Sequence, residues 1–176
     1  MNIIIPDPTL VLLVGPSGAG KSTFAQAHFR PTEIVSSDAM RAMLSNDPAD
    51  QGASGEAFRV LSTIVNGRLK RRLLTVVDAT NLAAGNRSRY RRLAARYGIS
   101  SVVIAFDFPE PVYRERNASR PDRVVDDGVV SDHAARMAAA LVDIAAEGFQ
   151  SVVVLDENAT LGDIVIERVE HSPRTA

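Results

Sequence analysis

Leu10-Val-Leu-Leu-Val14-Gly15-Pro-Ser-Gly-Ala-Gly20-Lys21-Ser22-Thr23 is the stretch that decides the fold. Leu10–Val14 is an apolar run of strand length, and Lys21–His28 reads as a helix. Between them, Gly15 to Ser22 fits G-x-x-x-x-G-K-[ST] at every fixed position, in the strand–loop–helix context the pattern requires. The residue types have a physical reason. Gly15, Gly18 and Gly20 let the backbone wrap with its N–H groups turned inward, an anion nest at a helix N-terminus. Lys21 adds a point charge for the β- and γ-phosphates, and the Ser22 hydroxyl is a ligand for Mg²⁺. Gly15, Ser17, Gly18, Ala19, Gly20, Lys21, Ser22 and Thr23 are therefore the expected triphosphate cradle. The expected cofactors are ATP, with other nucleoside triphosphates left open, and Mg²⁺ or Mn²⁺.

Outward from this loop, further apolar runs recur at Ile34–Val35, Leu74–Val77, Val102–Phe106 and Val152–Leu155. Several are continuous rather than alternating, the pattern of strands buried on both faces of a parallel sheet. Helical segments at Asp38–Leu44, Glu56–Leu69, Asn86–Tyr97 and Ser131–Ala146 separate them. Ser131 is a good N-cap residue, Met137, Leu141 and Ile144 form one stripe, and Gly148 ends the last helix. Strand–helix alternation with right-handed crossovers gives an α/β class. Asn46–Gly55 reads as a turn-rich loop, Asp126-Asp127-Gly128 as a turn, and His171–Ala176 as a polar tail.

Composition narrows the class. The 176 residues have 45% hydrophobic and 23% charged side chains, the balance of a globular protein. No apolar run is long enough to span a bilayer, and no basic-then-apolar leader opens the chain. The absence of cysteine removes disulfides, thiol chemistry and Cys-based metal sites. A cytoplasmic location without membrane contact is the expectation. The net charge of −1 hides an asymmetry, because residues 68–123 carry 13 basic and 5 acidic side chains. Eighteen of the 20 basic residues are Arg, whose planar fork suits phosphate. Within that block, Tyr90, Leu93 and Tyr97 make the buried stripe of one helix. Arg87, Arg89, Arg91, Arg92 and Arg96 are left as a solvated face. His28, His133 and His171 have no ligand-like spacing and read as surface or packing residues.

A phosphate loop does not say what the triphosphate is for. The Asn-Lys-x-Asp segment of GTPases is absent. Asp78 is followed by Ala79, not by the second acid of motor ATPases. A small kinase leads. Ligands in open α/β sheets collect at the carboxyl ends of strands, so the polar residues ending each run are the candidates. Ser36-Ser37-Asp38 ends the second run, with Arg41 one turn later on the same face. There Asp38 can take a proton from an attacking hydroxyl while Arg41 holds an anionic acceptor. An N-cap Asp with an Arg pairing to it is the plainer reading. Asp78, Thr80 and Asn81 end the third run, where an acid usually meets Mg²⁺. Arg116, Arg120 and Arg123 follow the fourth run at helical spacing, as an arginine-bearing lid would.

GPSGAGKST, SSDAMR, VVDATN and ERNASRPDR, in this order and spacing, resemble the polynucleotide 5′-kinase family over about residues 8–170. The nearest likeness is to the kinase domain of bacterial polynucleotide kinase-phosphatases that heal RNA ends. The resemblance implies a three-layer, nucleoside-kinase-like phosphate-loop NTPase fold with a central, mainly parallel sheet. It implies one kinase domain over 1–170 with a polar tail at 171–176. The natural partners would be nucleic-acid 5′-OH ends, with phosphatase and ligase-like domains on the same chain. Asp38 would be the general base and Arg41 would grip the phosphate of the acceptor's first linkage. Arg116, Arg120 and Arg123 would cover the donor phosphates, and Asp78, Thr80 and Asn81 would line the acceptor and metal rim. The implied activity is ATP-dependent phosphorylation of an RNA or DNA 5′-OH. A phosphate-loop kinase of a sugar, nucleoside or antibiotic hydroxyl is the alternative.

Overall fold

The computed structural model describes residues 1–119 and 125–170. Five strands form one all-parallel sheet: β2 (Thr9–Val14), β3 (Ile34–Ser36), β4 (Thr75–Asp78), β5 (Ser100–Phe106) and β6 (Ser151–Leu155). Their spatial order is β3-β4-β2-β5-β6. Every residue of β2 is buried, so the strand preceding the glycine loop lies at the centre. The residues of β2 divide between two cores. Leu10, Leu12 and Val14 pack with α3 (Ser54–Lys70), α4 (Ala84–Arg96) and α6 (Asp127–Ala146). Val11 and Leu13 pack with α1 (Lys21–His28) and α5 (Glu110–Ala118) on the opposite face. Helices thus cover both faces of a parallel sheet, the three-layer solution that buries its continuous apolar strands.

All five apolar runs are strands, and the helix α1 has the bounds its periodicity predicts. α2 spans Ser37–Ser45. Two strands lie outside the runs read from the sequence. β1 (Asn2–Asp7) and β7 (Val165–Glu170) pair in parallel as a separate two-stranded sheet. β1 carries only the short apolar run Ile3–Ile5 before Pro6-Asp7, and β7 interleaves charges. Arg168 of β7 makes a bidentate pair with Glu33, at 2.8 Å from each carboxylate oxygen. That pair ties the small sheet to the turn before β3.

Two readings are corrected. α6 starts four residues before Ser131, at Asp127. Asp126 is its N-cap, accepting from the Gly128 N–H at 2.8 Å, and Asp127 sits in the first turn, where the helix dipole favours an acid. Asp126-Asp127-Gly128 is the helix start, not a free turn. Arg87, read as part of a solvated face, is fully buried. Its Nη1 donates to the carbonyls of Asn81 and Leu82 at 3.0 and 2.6 Å. Its Nε and Nη2 reach the Glu147 carboxylate at 2.9 and 2.5 Å. A buried charge persists only when paired and hydrogen-bonded in this way.

The pair joins α4 to the end of α6 and holds the turn after β4. Glu147→Ala leaves the guanidinium buried with its carbonyl partners and only the more distant, exposed Asp143 carboxylate, at 4.0 Å. It should lower unfolding stability by about 3 kcal/mol, measured by urea denaturation. A loss below about 1 kcal/mol would show that the pair does not hold this corner.

Candidate active site

The glycine loop is pinned from three sides. The Gly15 N–H donates to the Thr80 carbonyl at 3.0 Å, joining the loop to the end of β4. Gly18 (φ +82°) packs so tightly that a Cβ there would lie 2.3 Å from the Tyr113 carbonyl oxygen. Both its left-handed backbone and its close approach require glycine. Gly20 (φ +91°) is the N-cap of α1. Ser17 and Ala19 are buried in the loop, and Thr23 is exposed on α1. Lys21 is 8% exposed, and its Nζ donates to the Gly15 and Pro16 carbonyls at 2.9 and 2.6 Å. Two loop carbonyls therefore hold the ammonium across the nest.

Beside the loop lies a cavity of about 510 Å³. Ser17, Lys21 and Ser22 line it from the loop, and Asp78 and Thr80 from the end of β4. Asp38 and Arg41 line it from α2, one turn apart as their spacing predicts. Ser36 caps α2 by accepting from the Ala39 N–H, so Asp38 is not the cap. Arg41 is 5% exposed and fixed from several directions. Its Nη2 pairs with the Asp38 carboxylate, its Nε donates to the Pro48 carbonyl at 2.8 Å, and its Nη1 reaches the Ser54 hydroxyl at 3.5 Å. The ion pair of the plainer reading is thus present, and it faces the cavity.

Asn81 is placed differently. It is buried, and its amide donates to the Leu13 carbonyl at 2.8 Å, bracketing β2 and β4. It does not line the cavity. Arg116 sits on α5 beside the loop, with Nη1 donating to the Ala19 carbonyl at 3.2 Å and the guanidinium 4.8 Å over the Phe108 ring. Arg120 and Arg123 lie outside the described residues. His133 and Asp126, from the start of α6, also line the cavity, as do Ser54 and Phe58 from α3. Sequence spacing did not single these out. An Asp N-cap and a His six residues into a helix become visible only once the true start of α6 is known.

The charge balance centres on Asp78. Burial pushes its carboxyl above the ordinary carboxylate range, and the Asp38 charge adds to this. Lys21 and hydrogen bonds from Ser22 and Ser36 oppose the shift without cancelling it. Ser22 and Asp78 thus meet as a hydroxyl and a carboxylate, hard oxygen donors that fit Mg²⁺. No cluster of three or more His, Cys, Asp or Glu side chains able to hold a metal occurs among the described residues.

The chain matches the model of the AAA domain family over residues 10–144 and belongs to that family. Its fold is that of the phosphate-loop kinases. A chain of the Pnkp1/Rnl/Hen1 RNA repair complex matches with a TM-score of 0.66 at 20% identity. That match covers 79% of this chain and 47% of the other, so this chain spans about half the length of that one. A gluconokinase from Sinorhizobium meliloti 1021 matches with a TM-score of 0.55 at 22% identity, over 92% and 89% of the two chains. The Mycobacterium tuberculosis APS kinase, in complex with AMPPNP and APS, gives 0.55 at 18% identity over 89% and 92%. No curated protein sequence matches the chain. No described helix is long and apolar enough to cross a membrane.

A raised carboxyl pKa in the fold means that ionised Asp78 opposes folding. Its cost is absent below the unfolded-state pKa, grows as pH rises toward the folded value, and is fully present above it. Asp78→Asn should therefore raise the Tm of the nucleotide-free protein at pH 8. The gain should vanish in acid. A pH-scanned thermal melt checks this, and a lower Tm at pH 8 would show that the carboxylate is stabilising.

Proposed function

We propose that the chain is an ATP-dependent kinase that phosphorylates the 5′-hydroxyl of a nucleic-acid end. The observation that carries this reading is the Asp38–Arg41 pair in the same cavity as Lys21. The loop N–H groups and Lys21 would bind the donor phosphates, with Arg116 flanking the loop. Ser22 and Asp78 would hold Mg²⁺, which when bound neutralises charge on the β- and γ-phosphates.

In the transfer itself, Asp38 accepts the proton of the 5′-hydroxyl. The freed oxygen forms a bond to the γ-phosphorus as the bond to the β,γ-bridging oxygen breaks, and ADP leaves with that electron pair. Positioning and charge supply most of the rate. Arg41 serves two partners: it holds the Asp38 carboxylate toward the cavity and offers a guanidinium to an anion on the acceptor. On a nucleic-acid end that anion is the phosphate 3′ of the terminal nucleoside. The likeness to a chain of an RNA repair complex supports this acceptor.

A small anionic alcohol is the second reading. The cavity's lining by Val129 and His133 of α6 and by Ala49 and Gln51, beside the reacting groups, favours it. So does the end-to-end match with the gluconokinase and the APS kinase.

Arg41→Ala separates the acceptors. Because Arg41 also holds Asp38, the substitution should slow transfer to every acceptor. The loss in kcat/KM on a nucleoside 3′-monophosphate should exceed that on the free nucleoside by about 10- to 100-fold, the value of a charge-assisted hydrogen bond of roughly 1.5–3 kcal/mol. Equal losses on both would mean that Arg41 does not read the phosphate, and the polynucleotide reading would lose its main support.

A further inference from the structure

A second cavity, of about 630 Å³, lies in the groove between α3 and α4. Arg59, Ser62 and Asn66 line it from α3, and Arg89, Arg92 and Arg96 line it from α4. Among the described residues, no acidic side chain lines it. The acid nearest in the contacts of these arginines is Glu56, 3.4 Å from Arg59 in a solvent-exposed pair, and such pairs hold little energy. Arg92 donates to the Ser88 hydroxyl at 2.7 Å, and Arg96 lies 5.9 Å over the Tyr97 ring. Neither contact neutralises charge. Four guanidinium groups thus face one groove alongside hydroxyl and amide groups, the donor set that binds phosphodiester backbone.

The groove's position gives it a direction. Ser54 and Phe58 of α3 line the catalytic cavity, and the very next residue, Arg59, opens the groove. From Phe58 to Asn66 the helix advances about 12 Å. On the other wall, Thr80 lines the cavity and α4 starts at Ala84, with the groove arginines on its middle and last turns. Both walls therefore start at the catalytic rim and run away from it.

We infer that this groove is the track for the backbone of a single-stranded acceptor whose 5′ end lies in the catalytic cavity. The inference rests on the nucleic-acid reading of that cavity and adds where the rest of the strand goes. Arg89, Arg92 and Arg96 are all exposed on α4, so their removal should cost the fold little.

The test uses Arg89→Ala/Arg92→Ala/Arg96→Ala, with Arg136→Ala on α6 as a control for loss of a surface arginine elsewhere. kcat/KM is measured on a nucleoside 3′-monophosphate and on 5′-OH single strands of 2 to 12 nucleotides, from 50 to 200 mM salt. In the wild type it should rise with strand length and fall with salt. The triple variant should lose about 10-fold or more on the longest strand, flatten the salt slope by roughly 0.7 per phosphate contact removed, and leave the monophosphate unchanged. The control should behave as wild type. If the wild type phosphorylates long strands and the triple variant does so equally well, the groove inference is overturned while the acceptor reading stands. An equal loss on the monophosphate and the long strand also overturns it. If the wild type phosphorylates neither, the acceptor reading fails and the groove inference falls with it.

Discussion

Everything at the rim of the cavity depends on how the Gly15–Ser22 loop is held in place. The loop has few side chains of its own, so the restraint comes from outside. The Thr80 carbonyl takes the Gly15 N–H, and the Tyr113 carbonyl closes on Gly18 at a distance only glycine allows. Tyr113 is in turn fixed, because its hydroxyl donates to the Phe106 carbonyl at 2.9 Å and accepts from the Phe108 N–H at 2.6 Å. Burial pushes that phenol up to about 12, so it stays a protonated donor. β4, β5 and α5 thus meet on one short loop, and the cavity is what remains beside it. Preorganised donors of this kind cost no rearrangement when charge develops.

Two buried charges in the fold are treated in opposite ways. Arg87 is surrounded by a carboxylate and two carbonyls, and it welds α4 to the end of α6. Asp78 is nearly as buried, but its environment leaves its charge under-compensated. The first arrangement fixes geometry. The second leaves a carboxylate beside the loop whose burial works against its charge, an arrangement functional sites commonly show. The Arg87 contact to the Asn81 and Leu82 carbonyls also braces the turn that carries Thr80, so the structural pair supports the site from behind.

The five-stranded sheet was legible because each of its strands is an apolar run bounded by turn chemistry, and the family resemblance implied that they form a central, mainly parallel sheet. β1 and β7 were not legible. β1 buries Ile3 and Ile5 but runs straight into Pro6-Asp7, β7 buries no side chain fully and carries Glu167, and the two pair only with each other. The start of α6 was hidden because Asp126-Asp127-Gly128 has turn composition, although an Asp N-cap followed by an acid is equally a helix start. Arg87 was missed because composition cannot say which of five arginines faces inward. The signal was present, since Arg87, Tyr90 and Ala94 fall at i, i+3 and i+7 on one stripe. At the site, Asp38, Arg41, Asp78 and Thr80 were found from strand ends. His133 needed the tertiary fold, because α6 reaches the cavity from the far side of the sheet order.

The central claim is that Asp38 and the glycine loop act together on a nucleic-acid 5′-hydroxyl, and label transfer tests it most directly. Wild-type protein with γ-labelled ATP and Mg²⁺ is offered a 5′-OH oligonucleotide, the same strand already 5′-phosphorylated, and a panel of small anionic alcohols. The account predicts label on the 5′-OH strand alone, reduced about 10²- to 10⁴-fold by Asp38→Asn. Label on a small alcohol in preference to the strand, or transfer indifferent to Asp38→Asn, would contradict it.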